Sequence, residues 1–270
     1  MIKALYLVTS IILSITLTAC SNSSDSDNLS EPSSIASGNS VGSQSPAPGP
    51  EAPADFELLF VGNSHVAQNA LPNMVASMIE QGTTKTAYVY RDTSAMFLDE
   101  RDFRGTTYDK IKARNWTHVI LQGQKYSTTG LYFYPTDATE EWIRIIKAQN
   151  TVPVLFPEHP REGNFEEGQR VHNLHVEIAQ RESACIAPIG LAWDLSRERH
   201  PEISLHSDGN HANLYGTLLT AFVFYEVTTG QAANQLAFIE SIQINSSAQA
   251  ILREIASETI LLNPPCTMYP

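Results

Sequence analysis

Short apolar runs alternate along the chain with longer segments whose apolar residues recur at helical spacing. The short runs predict buried strands, and the longer segments predict helices packed on a sheet. This alternation is typical of βαβ units and predicts an α/β fold with a parallel central sheet covered on both faces. Strands are predicted at 56–61, 87–90, 118–121 and 152–156, with 184–189 as a candidate fifth, and helices at 71–80, 138–148, 166–181, 214–227 and 248–261.

The sheet type also predicts where function lies. In parallel α/β sheets, functional groups lie on loops at the carboxyl ends of the strands. The places to look are therefore the segments that follow the first four strands and the loop before the helix at 214–227.

Residues 1–20 have the organisation of an export signal. Lys3 supplies a short positive region, and an apolar run over 4–17 is broken only by Thr and Ser. The run is short for a membrane span. Its end, Leu-Thr-Ala-Cys, resembles a bacterial lipobox, which implies that Cys20 is acylated and begins a mature cell-envelope lipoprotein. Ser21 after it implies the outer membrane, while a plain signal peptide and an uncleaved anchor are the alternatives.

Residues 21–55 consist mainly of Ser, Gly, Pro, Asn and Asp, with almost no large apolar side chains. Such a stretch cannot bury enough surface to offset its ordering entropy, so we predict a disordered tether. Residues 56–270 are sufficient for one domain with a full core. The formal net charge of −12 argues against nucleic acid as a partner and disfavours polyanionic substrates.

The chain has three cysteines, and acylation of Cys20 would leave Cys185 and Cys266 as an even pair. In an oxidising compartment, such a pair favours a disulfide, which would tie the C-terminal segment to the domain. Two unpaired thiols are the alternative, because the sequence does not show whether the Cα atoms come close enough.

Ser64 belongs to a Gly-Asn-Ser-His segment, 62–65, that directly follows the first predicted strand. A serine on a tight strand-to-helix turn is exposed, and its N–H points into the same space as its hydroxyl. Ser64 would therefore supply both a nucleophile and one oxyanion donor. Taken alone, the segment fits better a loop turn in which Asn63 or Ser64 caps the next helix.

The loop before the helix at 214–227 contains Asp208 three residues before His211. The carboxylate can accept a hydrogen bond from the imidazole, which fixes the tautomer and leaves the other ring nitrogen free to take a serine proton. Helix capping by Asp208 or Asn213 is the alternative. Capping, however, requires neither His211 nor a serine after the first strand.

A third polar element, Gln122-Gly123-Gln124, follows the strand at 118–121. A carboxamide at that place can donate to a developing oxyanion. By itself, a polar strand end with a turn glycine is the more ordinary interpretation.

With these three elements in this order, the chain resembles the SGNH (GDSL-like) hydrolase superfamily over residues 57–230. It is most similar to a bacterial lipoprotein branch of uncharacterised function, through residues 116–122 and 187–193. The resemblance implies a flavodoxin-like three-layer α/β/α sandwich and hydrolysis of acyl esters without a metal or cofactor. It implies a catalytic triad of Ser64, Asp208 and His211.

Two departures from the superfamily concern the oxyanion hole. The glycine whose N–H is usually the second donor, after the second strand, is missing from residues 91–96. The N–H of Thr93 or Ser94 is the candidate substitute. The usual asparagine after the third strand appears as glutamine, so Gln122 is expected to take that role, with Gln124 as the second choice.

Other motifs carry less weight. Residues 38–42 spell Gly-x-Ser-x-Gly, but within the tether, without the strand and helix that this motif requires. The remaining histidines show no recognised zinc spacing with a third ligand, so no metal is predicted. His172 and His175 are expected to face solvent on a polar helix. Residues 158–160, Glu-His-Pro, follow the fourth strand and form either a substrate-contacting rim or a turn.

Together these features predict a lipid-tethered hydrolase of carboxylic esters, for which superfamily analogy alone suggests an acylated glycan as substrate. A non-catalytic glycan-binding envelope protein on the same fold is one alternative, favoured by the missing glycine. An O-acyltransferase that uses the same triad is another. The acyl group, the alcohol and the oligomeric state stay open.

Overall fold

The computed structural model of the chain describes residues 52–94, 96–267 and 269. The predicted lipoprotein signal, nearly all of the predicted tether and the Gly-x-Ser-x-Gly segment lie outside these residues. Within the described ranges, no helix combines the length and the apolar character that a membrane crossing requires.

Five parallel strands form one sheet in the order β2-β1-β3-β4-β5. The interior strand β1 (Phe56–Gly62) is buried from its second residue onward, because both faces of the sheet are covered. The strands are β1 (Phe56–Gly62), β2 (Ala87–Thr93), β3 (His118–Leu121), β4 (Val152–Leu155) and β5 (Cys185–Ile186).

Helices connect the strands, and those predicted from periodicity are all present. Neither the short helix Thr106–Lys112 nor the helix Ile189–Arg199 was predicted. In the second of these, the apolar residues, Leu191 and Leu195 among them, lie on more than one face. In the described part of the chain the helices are α1 (Ser64–Ala67), α2 (Leu71–Gly82), α3 (Thr106–Lys112), α4 (Asp137–Lys147), α5 (Glu167–Arg181), α6 (Ile189–Arg199), α7 (Leu214–Thr229) and α8 (Ser246–Leu262).

The core consists of two layers, one on each side of the sheet. Successive strand residues point to opposite faces, so Leu58 and Phe60 pack in the cluster that contains α2, α6, α7 and α8. Leu59 and Val61 pack in the other cluster, with α3, α4 and α5. The predicted three-layer α/β/α sandwich is confirmed.

The sheet brings the ends of three strands together. Val61 at the end of β1 pairs with Leu121 of β3, which in turn pairs with Leu155 of β4. The loops that follow these residues therefore leave the same edge of the sheet side by side. These are the loops that carry Ser64, Gln122 and Glu158.

The C-terminal segment is fastened to the sheet. Cys185 in β5 forms a disulfide with Cys266, whose Cα lies 4.2 Å away. Next to the bridge, the N–H of Ile186 donates to the carbonyl of Pro265 at 2.8 Å. The disulfide favoured by the sequence is confirmed, and residues 265–266 lie along the outer edge of β5.

Candidate active site

A tight turn at the end of β1 carries Ser64. Gly62 is required there, because a Cβ at this position would lie 2.3 Å from Oε1 of Gln122 and 2.5 Å from a methyl of Val66. Asn63 then caps the short helix α1, its Oδ1 accepting from the N–H of His65 at 3.1 Å. The turn leaves Ser64 exposed at the start of α1, as expected for a nucleophile.

Asp208 organises the loop that carries His211. One carboxylate oxygen accepts the N–H groups of Asn210 at 3.0 Å and His211 at 2.7 Å. The other lies 2.7 Å from Nδ1 of His211. The backbone N–H of His211 first, then its ring and the Asn210 N–H, hold the pKa of Asp208 well below its usual range. The carboxylate is therefore ionised and keeps the proton of His211 on Nδ1.

The structure brings the three residues of the predicted triad together. Nε2 of His211 lies 2.9 Å from Oγ of Ser64, although the two residues are 147 positions apart in the chain. With Nδ1 protonated, Nε2 accepts the hydroxyl proton of Ser64. Helix α7 is capped by Asn213, whose side chain accepts the N–H groups of Tyr215 and Gly216, so Asp208 is not needed as a cap.

The prediction that Gln122 donates to an oxyanion is wrong for this arrangement. Its side chain is fully buried, with Oε1 accepting the N–H of Asn63 at 2.7 Å and Nε2 donating to Oε1 of Glu158. Glutamine is one methylene longer than the usual asparagine and reaches beneath the turn at 62–64. Gln122 therefore supports the turn that presents Ser64.

Two other groups expected in the oxyanion hole are also engaged elsewhere: the N–H of Ser94, the substitute for the missing glycine, and the amide of Gln124, the second choice after Gln122. The N–H of Ser94 donates to the carbonyl of Gly62 at 3.1 Å, because β2 continues to Thr93 and keeps pairing with β1. Gln124 is buried, and its amide donates to the carbonyls of Lys125 and Pro135. Among the described residues, the N–H of Ser64 has no acceptor and remains available to an oxyanion.

A cavity of about 410 Å³ opens beside Ser64. Glu158 lines it, as the sequence suggested for residues 158–160, and so do Tyr126 and Arg161, which the sequence did not indicate. Burial first, then the nearby carboxylate of Glu158, raises the pKa of the Tyr126 phenol. Tyr126 is therefore a neutral hydroxyl at neutral pH. No local pattern marks Tyr126, since its position depends on how residues 125–135 fold back.

Histidines pack around the catalytic loop. His65 stacks on His211 with ring centroids 5.3 Å apart, and burial lowers the pKa of His65. His159 stacks on Trp193 at 3.9 Å, and its Nε2 lies 3.0 Å from the carbonyl of Asn210. Burial keeps the pKa of His159 well below the ordinary value. Both rings are therefore neutral at pH 7. His159 supports the loop that carries His211 and does not contact the substrate.

The prediction for His172 and His175 is wrong. His172 is 9% exposed and His175 is 2% exposed, because this face of α5 turns toward the sheet. Nδ1 of His175 hydrogen-bonds to the carbonyl of Val171 at 2.8 Å, and burial lowers the pKa of His175 to about 4. Within the described ranges, no three His, Cys, Asp or Glu side chains are grouped to hold a metal ion.

No family model matches the chain, and no curated protein matches it. Among solved structures, a DUF4886 family protein from Bacteroides uniformis is 15% identical with a TM-score of 0.60, covering 77% of this chain and 95% of that one. A proposed SGNH hydrolase from Slackia heliotrinireducens is 19% identical with a TM-score of 0.51, covering 63% and 97%. A variant of the acetyl-xylooligosaccharide esterase Axe2 from Geobacillus stearothermophilus is 13% identical with a TM-score of 0.51, covering 65% and 95%. The chain thus has the fold of the SGNH (GDSL-like) hydrolases.

Proposed function

We propose that this protein is a serine hydrolase of carboxylic esters. Ser64 is the nucleophile, His211 the general base and acid, and Asp208 the residue that orients the imidazole. The observation that carries the proposal is the continuous hydrogen-bonded chain from Ser64 through His211 to Asp208 beside an open cavity. Structural roles do not account for it, because Ser64 and Asp208 are exposed and Asn213 caps α7.

The reaction proceeds in two halves. Oγ of Ser64 attacks the ester carbonyl carbon while its proton passes to Nε2 of His211. The tetrahedral intermediate collapses, the bond to the alcohol oxygen breaks, and the alcohol leaves with the proton from Nε2. Water then attacks the acyl-Ser64 ester, again losing its proton to Nε2, and the carboxylic acid is released as the serine regains its hydrogen.

The oxyanion of this intermediate requires N–H or O–H donors. The N–H of Ser64 is the donor that the described residues assign, because it has no other acceptor. Gln122 contributes indirectly by fixing the N–H of Asn63, one residue before the nucleophile. The ionised Asp208 stabilises the imidazolium that forms when Ser64 loses its proton.

Replacement of Ser64 by alanine tests the proposal. The Ser64→Ala protein should lose about six orders of magnitude in turnover of p-nitrophenyl acetate, since the nucleophile is removed. Its free energy of unfolding should change by no more than about 1 kcal/mol, because little buried surface is lost. The measurements are initial rates and melting curves, alongside labelling by a fluorophosphonate, which reacts only with an activated serine.

Further variants separate the roles of the three residues. His211→Ala should be as inactive as Ser64→Ala, and the double variant no worse than either, because the residues act as a unit. Asp208→Ala should keep more activity, since the nucleophile and the base both remain and Asp208 forms no bond to the substrate. A folded Ser64→Ala protein with full activity would remove the esterase assignment from this site.

A second candidate is a non-catalytic binding protein on the same fold. The observation that favours it is the loss of the predicted oxyanion donors, since Gln122 and Ser94 are both engaged in other hydrogen bonds. A wild-type protein inert to ester substrates and to fluorophosphonate would support this alternative. An acyltransferase would label with fluorophosphonate but would form a new ester faster than it hydrolyses one when an acceptor alcohol is supplied.

A further inference from the structure

A group of exposed aromatic side chains lies beside the catalytic cavity. In the segment 125–135, which we name the strap, Tyr132 is 70% exposed and Phe133 98% exposed. Phe165, across from it, is 76% exposed. Grouped exposed apolar side chains on a folded protein mark binding sites for ligands or partners. They line a groove that adjoins the cavity beside Ser64, which makes a substrate the first candidate.

Hydrogen bonds hold the strap in place. The carbonyl of Thr128 accepts from Arg170 at 2.6 Å and from Asn164 at 3.0 Å. Further along, the amide of Gln124 donates to the carbonyl of Pro135 at 3.1 Å, and its Oε1 accepts from Thr139 at 2.6 Å. Because both ends are anchored in this way, the exposed rings sit on a preformed wall, which lowers the ordering entropy that binding costs.

The strap and α5 enclose a groove of about 600 Å³. Three residues, Lys125, Tyr126 and Tyr134, line both this groove and the cavity beside Ser64. The groove is therefore a continuation of the catalytic cavity. A substrate whose ester lies at Ser64 would extend along it.

The two walls of the groove have different chemistry. The strap contributes aromatic rings, whereas the α5 wall is polar where it is exposed, with the half-buried Leu174 among its polar side chains. Its exposed side chains recur at helical spacing along one face of the helix: Glu166, Gln169, Asn173 and Glu177. Aromatic faces pack on apolar surfaces, and carboxylates and amides pair with hydroxyl groups. Sugars present both kinds of surface, with C–H groups on a ring face and hydroxyls around it.

Charge narrows the ligand further. Lys125 is paired with Asp99 and Glu100 at 2.8 and 2.9 Å, and Arg170 donates to Thr128. Among the described residues, the groove charges without an ion pair are two carboxylates, Glu166 and Glu177, and one cation, Arg170, so the groove offers an anion no net attraction. An acyl chain along this wall would remove water from the exposed carboxylates of Glu166 and Glu177 without offering them a hydrogen-bond donor, whereas hydroxyl groups would offer one. An anionic lipid surface would require basic residues instead.

We propose that this groove binds a neutral oligosaccharide, which forms the alcohol part of the ester cleaved at Ser64. The sugar chain lies between the rings of the strap and the polar face of α5. The identification of the sugar as the alcohol part rests on the proposed esterase function. Binding of the sugar itself does not require catalysis.

Binding is tested first, with the full chain carrying Ser64→Ala so that no substrate is consumed. Xylohexaose, cellohexaose and hexa-N-acetylchitohexaose are the ligands, titrated calorimetrically. At least one should bind, and adding Tyr132→Ala and Phe133→Ala should weaken it about tenfold or more, as expected for two lost aromatic contacts. Leu261→Ala, an equally exposed residue on α8, is the control and should not alter the affinity.

Specificity is tested next, in chains that retain Ser64. The ratio of kcat/KM for acetylated xylohexaose to that for p-nitrophenyl acetate should fall about tenfold or more in the strap double variant. Absence of binding by all three oligosaccharides, or equal binding by the double variant, overturns the proposal. A preference for decanoyl over acetyl esters that the double variant loses also overturns the proposal, since it identifies an acyl-chain site. Binding to phosphatidylglycerol vesicles that depends on Phe133 overturns it as well, since it identifies a lipid surface as the partner.

The two proposals fail separately. Strap-dependent oligosaccharide binding by a wild-type protein that cleaves no ester and does not label would overturn the esterase function and keep the sugar site. Ester hydrolysis without oligosaccharide binding would keep the esterase function and overturn the sugar site.

Discussion

The identities of the catalytic residues were predictable at the residue scale, whereas the direction of one side chain was not. Ser64 follows a buried strand, and Asp208 and His211 share one loop, so chain order and fold class place them at one edge of the sheet. Gln122 occupies the predicted position too. Its amide faces Asn63 and Glu158 because the longer side chain fits beneath the turn. The direction of the side chain is set by tertiary packing, which the spacing of residues in the sequence does not show.

A substitution at Gln122 distinguishes support from catalysis. In Gln122→Met, the N–H of Asn63 loses its acceptor and Glu158 loses a donor within buried surroundings. We expect the free energy of unfolding to fall by about 2–3 kcal/mol, together with a lower kcat, and chemical denaturation and initial rates would measure both. Ser64→Ala serves as the reference, because it removes catalysis with little loss of stability. Unchanged stability with strongly reduced kcat would indicate instead that Gln122 donates directly to the oxyanion.

At the scale of the element, β2 shows why strand ends are hard to predict. The strand was predicted to end at Tyr90 because Arg91 and Asp92 are charged, yet it continues to Thr93. Asp92 is buried among partners from later in the chain, accepting from Lys110 at 2.7 Å and pairing with Arg101. Such long-range compensation leaves no local signal. The extension has a functional effect, since it commits the N–H of Ser94 to the sheet.

The C-terminal segment yields a prediction at this scale. The Cys185–Cys266 bridge spans 81 positions, and closing so long a loop stabilises the fold by about 4–5 kcal/mol in the chain-entropy model, usually less in practice. Cys266→Ser should therefore lower the melting temperature, and the wild type should fall to the same value when reduced. Melting curves with and without reductant decide this. A wild-type protein whose melting is insensitive to verified reduction of the bridge would contradict the expected stabilisation.

At the scale of the whole molecule, alternating strands and helices predicted the layers, but not which polar residues the layers bury. His175 is an example, because α5 carries polar residues on its inner face as well as its outer one. A histidine held neutral in the interior costs stability as the medium becomes acidic. The unfolded chain takes up the proton near pH 6.5, whereas the folded one resists until about pH 4.

The resulting pH dependence is measurable. In the folded state the pKa of His175 falls from 6.5 to about 4, so its contribution to stability is present above pH 6.5 and lost as the pH falls toward 4. This loss amounts to about 3 kcal/mol. His175→Gln should therefore lose less stability than the wild type between pH 7 and pH 4.5, in denaturant titrations. His200→Gln, at a more exposed histidine, is the control and should keep the wild-type difference. Equal losses in all three proteins would contradict the assignment.

The location of the protein is a further proposal at this scale. If Cys20 is acylated, Cys20→Ala should release the protein from the membrane fraction or block processing of the precursor, because the lipid is the expected anchor. Fractionation and intact-mass measurement test this. Unchanged attachment together with unchanged mass would exclude the lipid anchor.

The covered edge of β5 has a consequence for association between molecules. An outer strand with free N–H and C=O groups can recruit a strand from another chain, which begins aggregation. Here the N–H of Ile186 is taken by Pro265, and prolines at 264 and 265 have no N–H to offer a next strand. The C-terminal segment therefore terminates the sheet chemically as well as covering it. Loss of Cys266 would free the C-terminal segment from the edge of β5. The exposed edge should then cause self-association at concentrations where the oxidised protein shows none.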